Sequence, residues 1–256
     1  MASLNSQALA ADPSFTGTLS AGYDSEYFFR GLWFSSNNAW GSVNLSIPVA
    51  DKLTLGLGAL YTYSLKTDDA AISRLRYSEL DLLGSLTYDA GFARFALVAT
   101  SYTFFDTFSG DVNGVSFGNP LAPDSRVRDA FEVGLTATIP LGNANIYVGG
   151  YYDLRINAPY FELGADYTYK INDCFSLVPS ATIGYGDNYY SFPSIGNDRS
   201  GFTAARLGLA APYKVTDSIT VTPYVAVNCS LDIRENLNLV RDRNYLFGGV
   251  SVTYAF

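Results

Sequence analysis

The segment Asn244–Phe256 has the sequence Asn-Tyr-Leu-Phe-Gly-Gly-Val-Ser-Val-Thr-Tyr-Ala-Phe. Every second position from Leu246 to Phe256 is apolar or glycine, and the positions between carry mostly small or polar side chains. Because successive side chains of a strand point to opposite faces, this pattern predicts a β-strand with one apolar face. A strand of this kind that ends on an aromatic residue is typical of a barrel whose last strand closes against its first.

Alternating segments of this kind recur along the rest of the chain. Each is roughly 10–13 residues long, the length of a tilted strand that crosses a bilayer. With Asn244–Phe256 they make twelve predicted strands. The other eleven fall near residues 15–24, 40–49, 53–63, 79–88, 93–103, 131–139, 146–155, 161–170, 175–185, 205–209 and 219–228.

The connections between these segments differ in length. Short turns rich in Asp, Asn and Gly are predicted near residues 50–52, 89–91, 141–144, 171–173 and 216–218. Most of the intervening connections are longer, and they are predicted at residues 25–38, 66–75, 105–127, 187–201 and 232–243; the one at 156–159 is short. An even number of strands with short periplasmic turns and longer extracellular loops is the arrangement of an outer-membrane barrel.

Charged and aromatic residues are sorted between the two faces. Nearly all ionisable residues within the predicted strands lie on the small or polar face, whereas Tyr and Phe lie near strand ends on the apolar face. A bilayer requires this sorting, because a charge facing lipid costs about 2–4 kcal/mol at the midplane and aromatic rings favour the two interfaces. We therefore predict an all-β, transmembrane, antiparallel up-and-down barrel of about 12 strands, integral to the bacterial outer membrane. The alternative is a soluble β protein.

The composition narrows the chemistry. The 256 residues include no His, 20 Tyr, 17 Phe and 2 Trp, and the formal net charge is -8. Without His there is no imidazole base for a Ser or Cys nucleophile and no His ligand for zinc, so we expect neither an enzyme nor a metal or other cofactor. The acidic balance argues against nucleic acid as a partner. Cys174 and Cys229 lie near opposite barrel ends in the predicted map, which argues against a disulfide.

The first thirteen residues differ from the rest. Residues 1–13 lack both a charged n-region and a long apolar h-region, yet Ala8-Leu9-Ala10-Ala11 has the small residues that precede signal-peptidase cleavage. Two interpretations remain open: a trimmed export signal with an added Met, or a disordered leader. We predict a disordered tail at 1–13 and a single barrel domain at 14–256.

A short motif follows the first predicted strand. Residues Ser25, Tyr27, Phe29, Arg30 and Gly31 form Ser-x-Tyr-x-Phe-Arg-Gly. This motif resembles a signature of the TorF-like putative porins, a family of bacterial outer-membrane proteins. The resemblance implies a diffusion channel. Arg30 is then expected either to tie the first long loop to the barrel wall or to act at the pore mouth.

The polar face supplies the candidate residues of a lumen. Acidic and basic side chains occur there in similar numbers, so they either line a narrow wet passage for small polar solutes or ions, or pair and close it, leaving a structural or adhesive barrel that displays its loops. Small inward residues such as glycine favour the open form. The predicted pore-lining residues are Glu79, Asp81, Arg94, Arg128, Glu132, Tyr147, Tyr151, Asp153, Arg155, Glu162, Asp166, Lys170 and Arg206, with Lys214 as a further candidate.

The predicted partners follow from the predicted location. We expect outer-membrane lipid and lipopolysaccharide around the barrel, and small polar solutes inside it. Tyr254 and Phe256 are candidates for the signal that the barrel-assembly machinery recognises in the C-terminal strand. The loop 105–127 either folds into the channel or stays on the surface. The sequence leaves the oligomeric state open.

Overall fold

Twelve long strands form the body of the protein. The structure, a computed structural model, describes residues 15–65, 77–105, 110–112, 115–117, 129–189, 200–232 and 244–256. The strands are β1 Thr16–Phe29, β2 Leu32–Ala50, β3 Leu53–Ser64, β4 Ser78–Asp89, β5 Arg94–Phe104, β6 Asp129–Leu141, β7 Ala144–Asp153, β8 Ala158–Tyr167, β9 Ser176–Asp187, β10 Ser200–Ala210, β11 Ile219–Ser230 and β12 Asn244–Ala255.

These strands form one closed antiparallel sheet. Each pairs with its neighbours along the chain, and β1 also pairs with β12 from Thr18↔Ala255 to Asp24↔Gly249. That last pairing closes the cylinder, which leaves no open sheet edge along the wall. The predicted twelve-strand up-and-down barrel is therefore confirmed.

The outward face of the barrel is apolar. Leucine and valine side chains lie exposed at mid-strand, for example Leu97, Leu135 and Leu163 at 57%, 68% and 51% exposure. Exposed aromatic rings lie nearer the strand ends, such as Tyr88 and Tyr254 towards one rim and Tyr61 and Phe161 towards the other. An aliphatic belt between two aromatic bands is the surface that a bilayer with two interfaces requires.

The two rims differ as predicted. The described chain starts and ends at the rim that carries the tight turns, and we call this the terminal rim; the opposite one is the loop rim. The terminal rim also bears the two-residue strands Tyr169–Lys170 and Tyr213–Lys214, which pair with β9 and β11.

Cys174 and Cys229 are both free. Within the described ranges no helix is long and apolar enough to cross a membrane.

The connection predicted at 25–38 is not a loop. The β1–β2 pairing continues to Phe29↔Leu32, with a register shift between Tyr27 and Phe28. The alternation fails to predict this extension because aromatic side chains occur on both of its faces. The neighbouring strands do not follow: β12 pairs with β1 only as far as Asp24, and β3 pairs with β2 only as far as Asn38. Residues 25–37, the hairpin tip, therefore leave the wall.

The longest predicted loop lies mainly outside the described residues. Of residues 105–127, the structure describes Phe105 and a short antiparallel pair, Gly110–Val112 with Val115–Phe117. The predicted tail at 1–13 also lies outside the described residues.

Candidate functional site

The hairpin tip lies inside the barrel, in the half nearest the loop rim. It contacts inward-facing residues of β4 to β8 and of β10 to β12. The tip leaves the barrel wall at Ser25. The Oγ of Ser25 accepts a hydrogen bond from the backbone N–H of Gly248 (3.1 Å). Ser25 thereby satisfies a donor on β12 where the ladder with β1 ends.

A two-residue turn ends the tip. Arg30 and Gly31 connect the paired residues Phe29 and Leu32, and both have positive φ, 51° and 89°. Positive φ at both central positions is the requirement of a type I′ hairpin turn. A Cβ on Gly31 would lie 2.5 Å from the Cβ of Ala204 on β10, so close approach to the wall also requires glycine here.

The turn delivers Arg30 into a cage of acidic and aromatic side chains. Its Nη2 donates to Glu132 Oε1 at 2.6 Å, and its Nη1 donates to Glu132 Oε2 and to the hydroxyl of Tyr189. The guanidinium carbon lies 4.3 Å from the ring centroid of Tyr160 and 4.6 Å from that of Tyr151. A forked ion pair surrounded by aromatic faces combines two favourable environments for a guanidinium group.

The ion pair between Arg30 and Glu132 is buried, so each charge is stabilised by the other rather than by water. The side chains of Arg30 and Glu132 are 5% and 3% exposed. Burial also raises the pKa of the Tyr189 phenol, which keeps its proton and donates to Glu132 while it accepts from Arg30. Removal of either charge would leave the other buried without compensation, which costs about 3–5 kcal/mol.

The remaining residues of the motif also have specific contacts. The Tyr27 hydroxyl donates to Glu79 Oε2 (3.2 Å), and the Phe29 ring meets the ring of Tyr102 edge-on, with centroids 5.7 Å apart. The expectation that Arg30 ties this segment to the barrel wall is thus confirmed by its contacts. The tie lies inside the lumen, where it joins the tip to β6.

A second acidic group lies beside the tip on β4. Glu79 accepts hydrogen bonds from Tyr27 and from Tyr77 (2.5 Å). Its neighbour on the same face, Asp81, is 6% exposed, and its Oδ1 has no hydrogen-bond partner among the described residues. Both predicted candidates therefore face the lumen, next to the tip.

The other half of the lumen, nearest the terminal rim, is different. We call it the vestibule. Its inward-facing side chains are mostly small, polar and half-buried; they include Ser20, Ser85, Thr136, Thr138, Ser180, Thr182, Thr220, Ser251 and Thr253. Ser20 and Thr253 link β1 to β12 through a 2.9 Å hydrogen bond between their hydroxyl groups. Half-exposed hydroxyl groups of this kind are suited to a wet surface.

Most of the predicted lumen residues occupy one of these two zones. Glu79, Asp81, Glu132 and Tyr151 contact or adjoin the tip, and Arg206 donates to the backbone oxygen of Phe28 in the tip at 3.1 Å. Tyr147, Glu162, Asp166 and Arg94 lie on inward-facing positions of β7, β8 and β5, and Asp166 accepts a 2.9 Å hydrogen bond from Asn145.

Three basic candidates are misplaced by the sequence map. Arg155 lies in the exposed turn after β7, which ends at Asp153, and Lys170 and Lys214 are exposed at the terminal rim. For Arg155 and Lys170, the alternation in the sequence continues for two or three residues beyond the ends of β7 and β8. Arg128 lies outside the described residues.

Asp153 has a structural role. It is buried, and its Oδ1 accepts hydrogen bonds from the backbone N–H groups of Arg155 and Ile156, at 2.8 and 3.3 Å. A side chain that accepts from the backbone two and three residues later organises a turn.

Two of the inward glycines, Gly134 and Gly249, do not leave empty space. A Cβ on Gly134 would lie 2.6 Å from the ring of Tyr151, and one on Gly249 would lie 2.7 Å from the ring of Tyr224. The space above these glycines is therefore occupied by aromatic rings that lie against the wall. At Gly134 and Gly249, glycine does not indicate free volume, because the neighbouring strand supplies the filling side chain.

The two C-terminal candidates lie on the outer surface at the terminal rim. Tyr254 and Phe256 stack with centroids 5.9 Å apart, and Phe256 packs against Gly17, where a Cβ would lie 2.5 Å from its Cζ. Both rings remain about half exposed.

Tyr160 and Tyr189 are the cage residues that sequence reasoning missed. Tyr160 falls just before the segment that predicted β8, and Tyr189 falls in a predicted loop. The available signal was an excess of tyrosine next to acidic residues on inward positions. That signal does not reveal that the rings would surround one arginine.

Comparisons with known proteins agree with this architecture. No protein-family model matches the chain, and a search of curated proteins finds no match. Among solved structures, an outer membrane channel from Pseudomonas putida F1 is similar over 100% of both chains, with a TM-score of 0.60 and 13% sequence identity. The NanC porin is similar over 93% of this chain and 98% of its own, with a TM-score of 0.51 and 11% identity.

A further similar fold is that of LpxR from Salmonella typhimurium. It covers 93% of this chain and 99% of its own, with a TM-score of 0.52 and 9% identity. Likeness at such low identity concerns the fold. The chain therefore has the closed, lipid-facing barrel fold of Gram-negative outer-membrane proteins, as its sequence predicted.

Proposed function

We propose that this protein is an outer-membrane channel for passive diffusion of small polar solutes or ions. The lumen is narrow, carries both acidic and basic side chains, and is restricted on the loop side by the hairpin tip. The observation that carries the proposal is the vestibule, because a barrel that served only as a closed support would be expected to fill this half with packed side chains.

The tip is built to be separable from the wall. Its two strands pair with each other beyond Asp24 and Asn38, and its turn contacts the wall through side chains and single hydrogen bonds. A self-paired hairpin can move without breaking the barrel ladder, since its backbone hydrogen bonds move with it. Conduction is therefore expected to rise when the tip withdraws.

The similar folds are compatible with this proposal. One of the solved structures is described as an outer membrane channel and another as a porin. We propose no enzyme activity, because the chain has no His and neither acidic cluster is paired with a nucleophile.

The second candidate function is a closed barrel that displays its loops to a partner. The observation in its favour is the tip itself, whose buried ion pair and aromatic contacts fill the loop-side half of the lumen. The two functions predict different electrical behaviour, so a conductance recording separates them.

The test compares the full chain with a tip-deletion variant in planar lipid bilayers. The variant replaces residues 25–37 with Asn-Gly, which forms a two-residue turn directly between the paired residues Asp24 and Asn38. We expect small or infrequent conductance steps from the full chain and large, stable steps from the variant. Folding of both is checked by heat-modifiable migration on a gel. If both are folded and neither conducts, the protein is a closed barrel.

A further inference from the structure

The side chain of Arg30 occupies a cage formed by Glu132, Tyr151, Tyr160 and Tyr189. We propose that this cage recognises a guanidinium group on a free solute, and that Arg30 holds this place until such a solute competes for it. The inference rests on the proposed channel function and names the solute class that the channel admits.

The cage belongs to the barrel wall. Glu132 lies on β6, Tyr151 on β7, Tyr160 on β8, and Tyr189 directly after β9. Three successive strands, together with the second residue after β9, therefore supply one carboxylate and three rings. Among the four described rings whose centroids lie within 5.1 Å of the guanidinium carbon, Phe29 belongs to the tip and the other three do not. When the tip withdraws, the carboxylate and the three wall rings remain together.

The wall rings are held in place without Arg30. The ring centroids of Tyr151 and Tyr160 are 6.3 Å apart, and those of Tyr160 and Tyr189 are 5.2 Å apart. Gly149 provides the room in which Tyr151 lies against the wall, because a Cβ there would approach its ring to 2.6 Å. A preorganised cage loses little freedom when a ligand enters, which favours binding.

The geometry selects guanidinium over other cations. The two carboxylate oxygens of Glu132 accept parallel hydrogen bonds from the two terminal nitrogens of the planar Arg30 guanidinium group. The Tyr189 hydroxyl accepts a further hydrogen bond from the same group. An ammonium group is a point donor that cannot make the same parallel pair, and it stacks less well on ring faces. An anion is repelled by the Glu132 carboxylate, which is ion-paired with Arg30 in the cage.

Competition at the cage links binding to opening. With the tip withdrawn, the Glu132 carboxylate loses the charge and both hydrogen bonds of Arg30, and this penalty keeps the tip in place. A solute that carries guanidinium supplies the missing charge and hydrogen bonds, so it removes the penalty. A ligand that binds only the state with the tip withdrawn shifts the equilibrium towards that state.

Calorimetry on folded protein in detergent tests the site, with ethylguanidinium as the probe. Arg30→Ala empties the cage, and we expect it to bind the probe with 1:1 stoichiometry. We expect at least tenfold weaker binding to the wild type, in which Arg30 competes, and to Arg30→Ala combined with Glu132→Gln. Ethylammonium should bind Arg30→Ala at least tenfold more weakly than ethylguanidinium.

Arg206→Ala is the matched control. It also removes an inward-facing arginine, whose guanidinium carbon lies 5.3 Å from the ring of Phe247, but Arg206 donates to a backbone oxygen rather than to a carboxylate. We therefore expect no probe binding to the hole it leaves. If Arg30→Ala does not fold, Arg30→Lys is used instead, because it keeps a charge for Glu132 but cannot form the fork.

The outcomes are distinguishable from those of the channel proposal. Saturable binding that depends on Glu132, with no conductance from any variant, would support the cage and refute the channel. Conductance from the tip-deletion variant, with no probe binding to Arg30→Ala or equal binding after Glu132→Gln, would support the channel and overturn the guanidinium site. In bilayers, millimolar ethylguanidinium should raise the open fraction of the wild type and leave that of the tip-deletion variant unchanged.

Discussion

At the scale of single residues, Gly31 allows the turn of the tip to pack against β10 inside the barrel. Its φ of 89° disfavours any residue with a side chain, and a Cβ built on it would lie only 2.5 Å from the Cβ of Ala204. We predict that Gly31→Ala lowers the free energy of unfolding by about 1–3 kcal/mol through backbone strain and contact with the wall. It should also displace the tip and raise conductance.

Gly91 provides a matched control for this change. Its φ is 87°, but nothing lies within 4 Å of a Cβ built there. Gly91→Ala should therefore cost only the backbone strain and leave conductance unchanged. The same conductance in both variants would contradict a tip that is seated through Gly31.

Charge in the vestibule should set ion preference. Arg94 lies on an inward position of β5 near the terminal rim, whereas Arg155 lies in an exposed turn at the loop rim. We predict that Arg94→Glu shifts the reversal potential in a salt gradient towards cation selectivity, because two units of charge change beside the passage. Arg155→Glu makes the same change outside the lumen and should shift it much less. A larger shift from Arg155 would show that the passage runs along the loops.

At the scale of elements, the residue that follows the closing strand packs against the first strand. The Phe256 ring fills the space above Gly17 on β1 and stacks on Tyr254. We predict that Phe256→Ala reduces the fraction of protein that reaches the folded, heat-modifiable form in the outer membrane of a host cell. Phe92→Ala is the control, since this ring is 71% exposed in a turn at the same rim. Equal yields would remove Phe256 as an assembly signal.

The elements also show how far the sequence predicts the fold. Strands such as β3 and β4, which have lipid on one side and lumen on the other, alternate clearly and were placed within about two residues. The tip was missed because it has protein on both sides. Tyr27, Phe28 and Phe29 are three consecutive aromatic residues, so apolar and polar side chains do not alternate there.

The candidate site was predicted less completely than the strands. Glu132, Tyr151 and Arg30 were identified from inward placement and from the motif, but their meeting was not. Arg30 and Glu132 are 102 residues apart in the chain, and only the inward fold of the tip joins them. A contact of that kind depends on how the closed cylinder positions β6 opposite the tip, which no local pattern encodes.

At the scale of the whole molecule, the barrel has two environments outside and two inside. The outer surface divides into an aliphatic belt and aromatic bands, and the lumen divides into a tip-filled half and the vestibule. The same twelve strands form all four environments. The alternation of a strand decides whether a side chain faces lipid or lumen, and the position of the residue along the strand decides its depth in the membrane. Function in this fold is thus decided by what the connections place inside.

The belt gives the last prediction. Leu135 is 68% exposed in the middle of β6, whereas Leu154 is 50% exposed in a turn at the loop rim. In lipid vesicles, Leu135→Arg should lower the free energy of unfolding by about 2–4 kcal/mol, because the charge faces hydrocarbon at the midplane. Leu154→Arg should cost no more than about 1 kcal/mol, since its side chain lies at the interface. Denaturant unfolding of both variants measures the difference, and equal small costs would mean that water, rather than lipid, covers the belt.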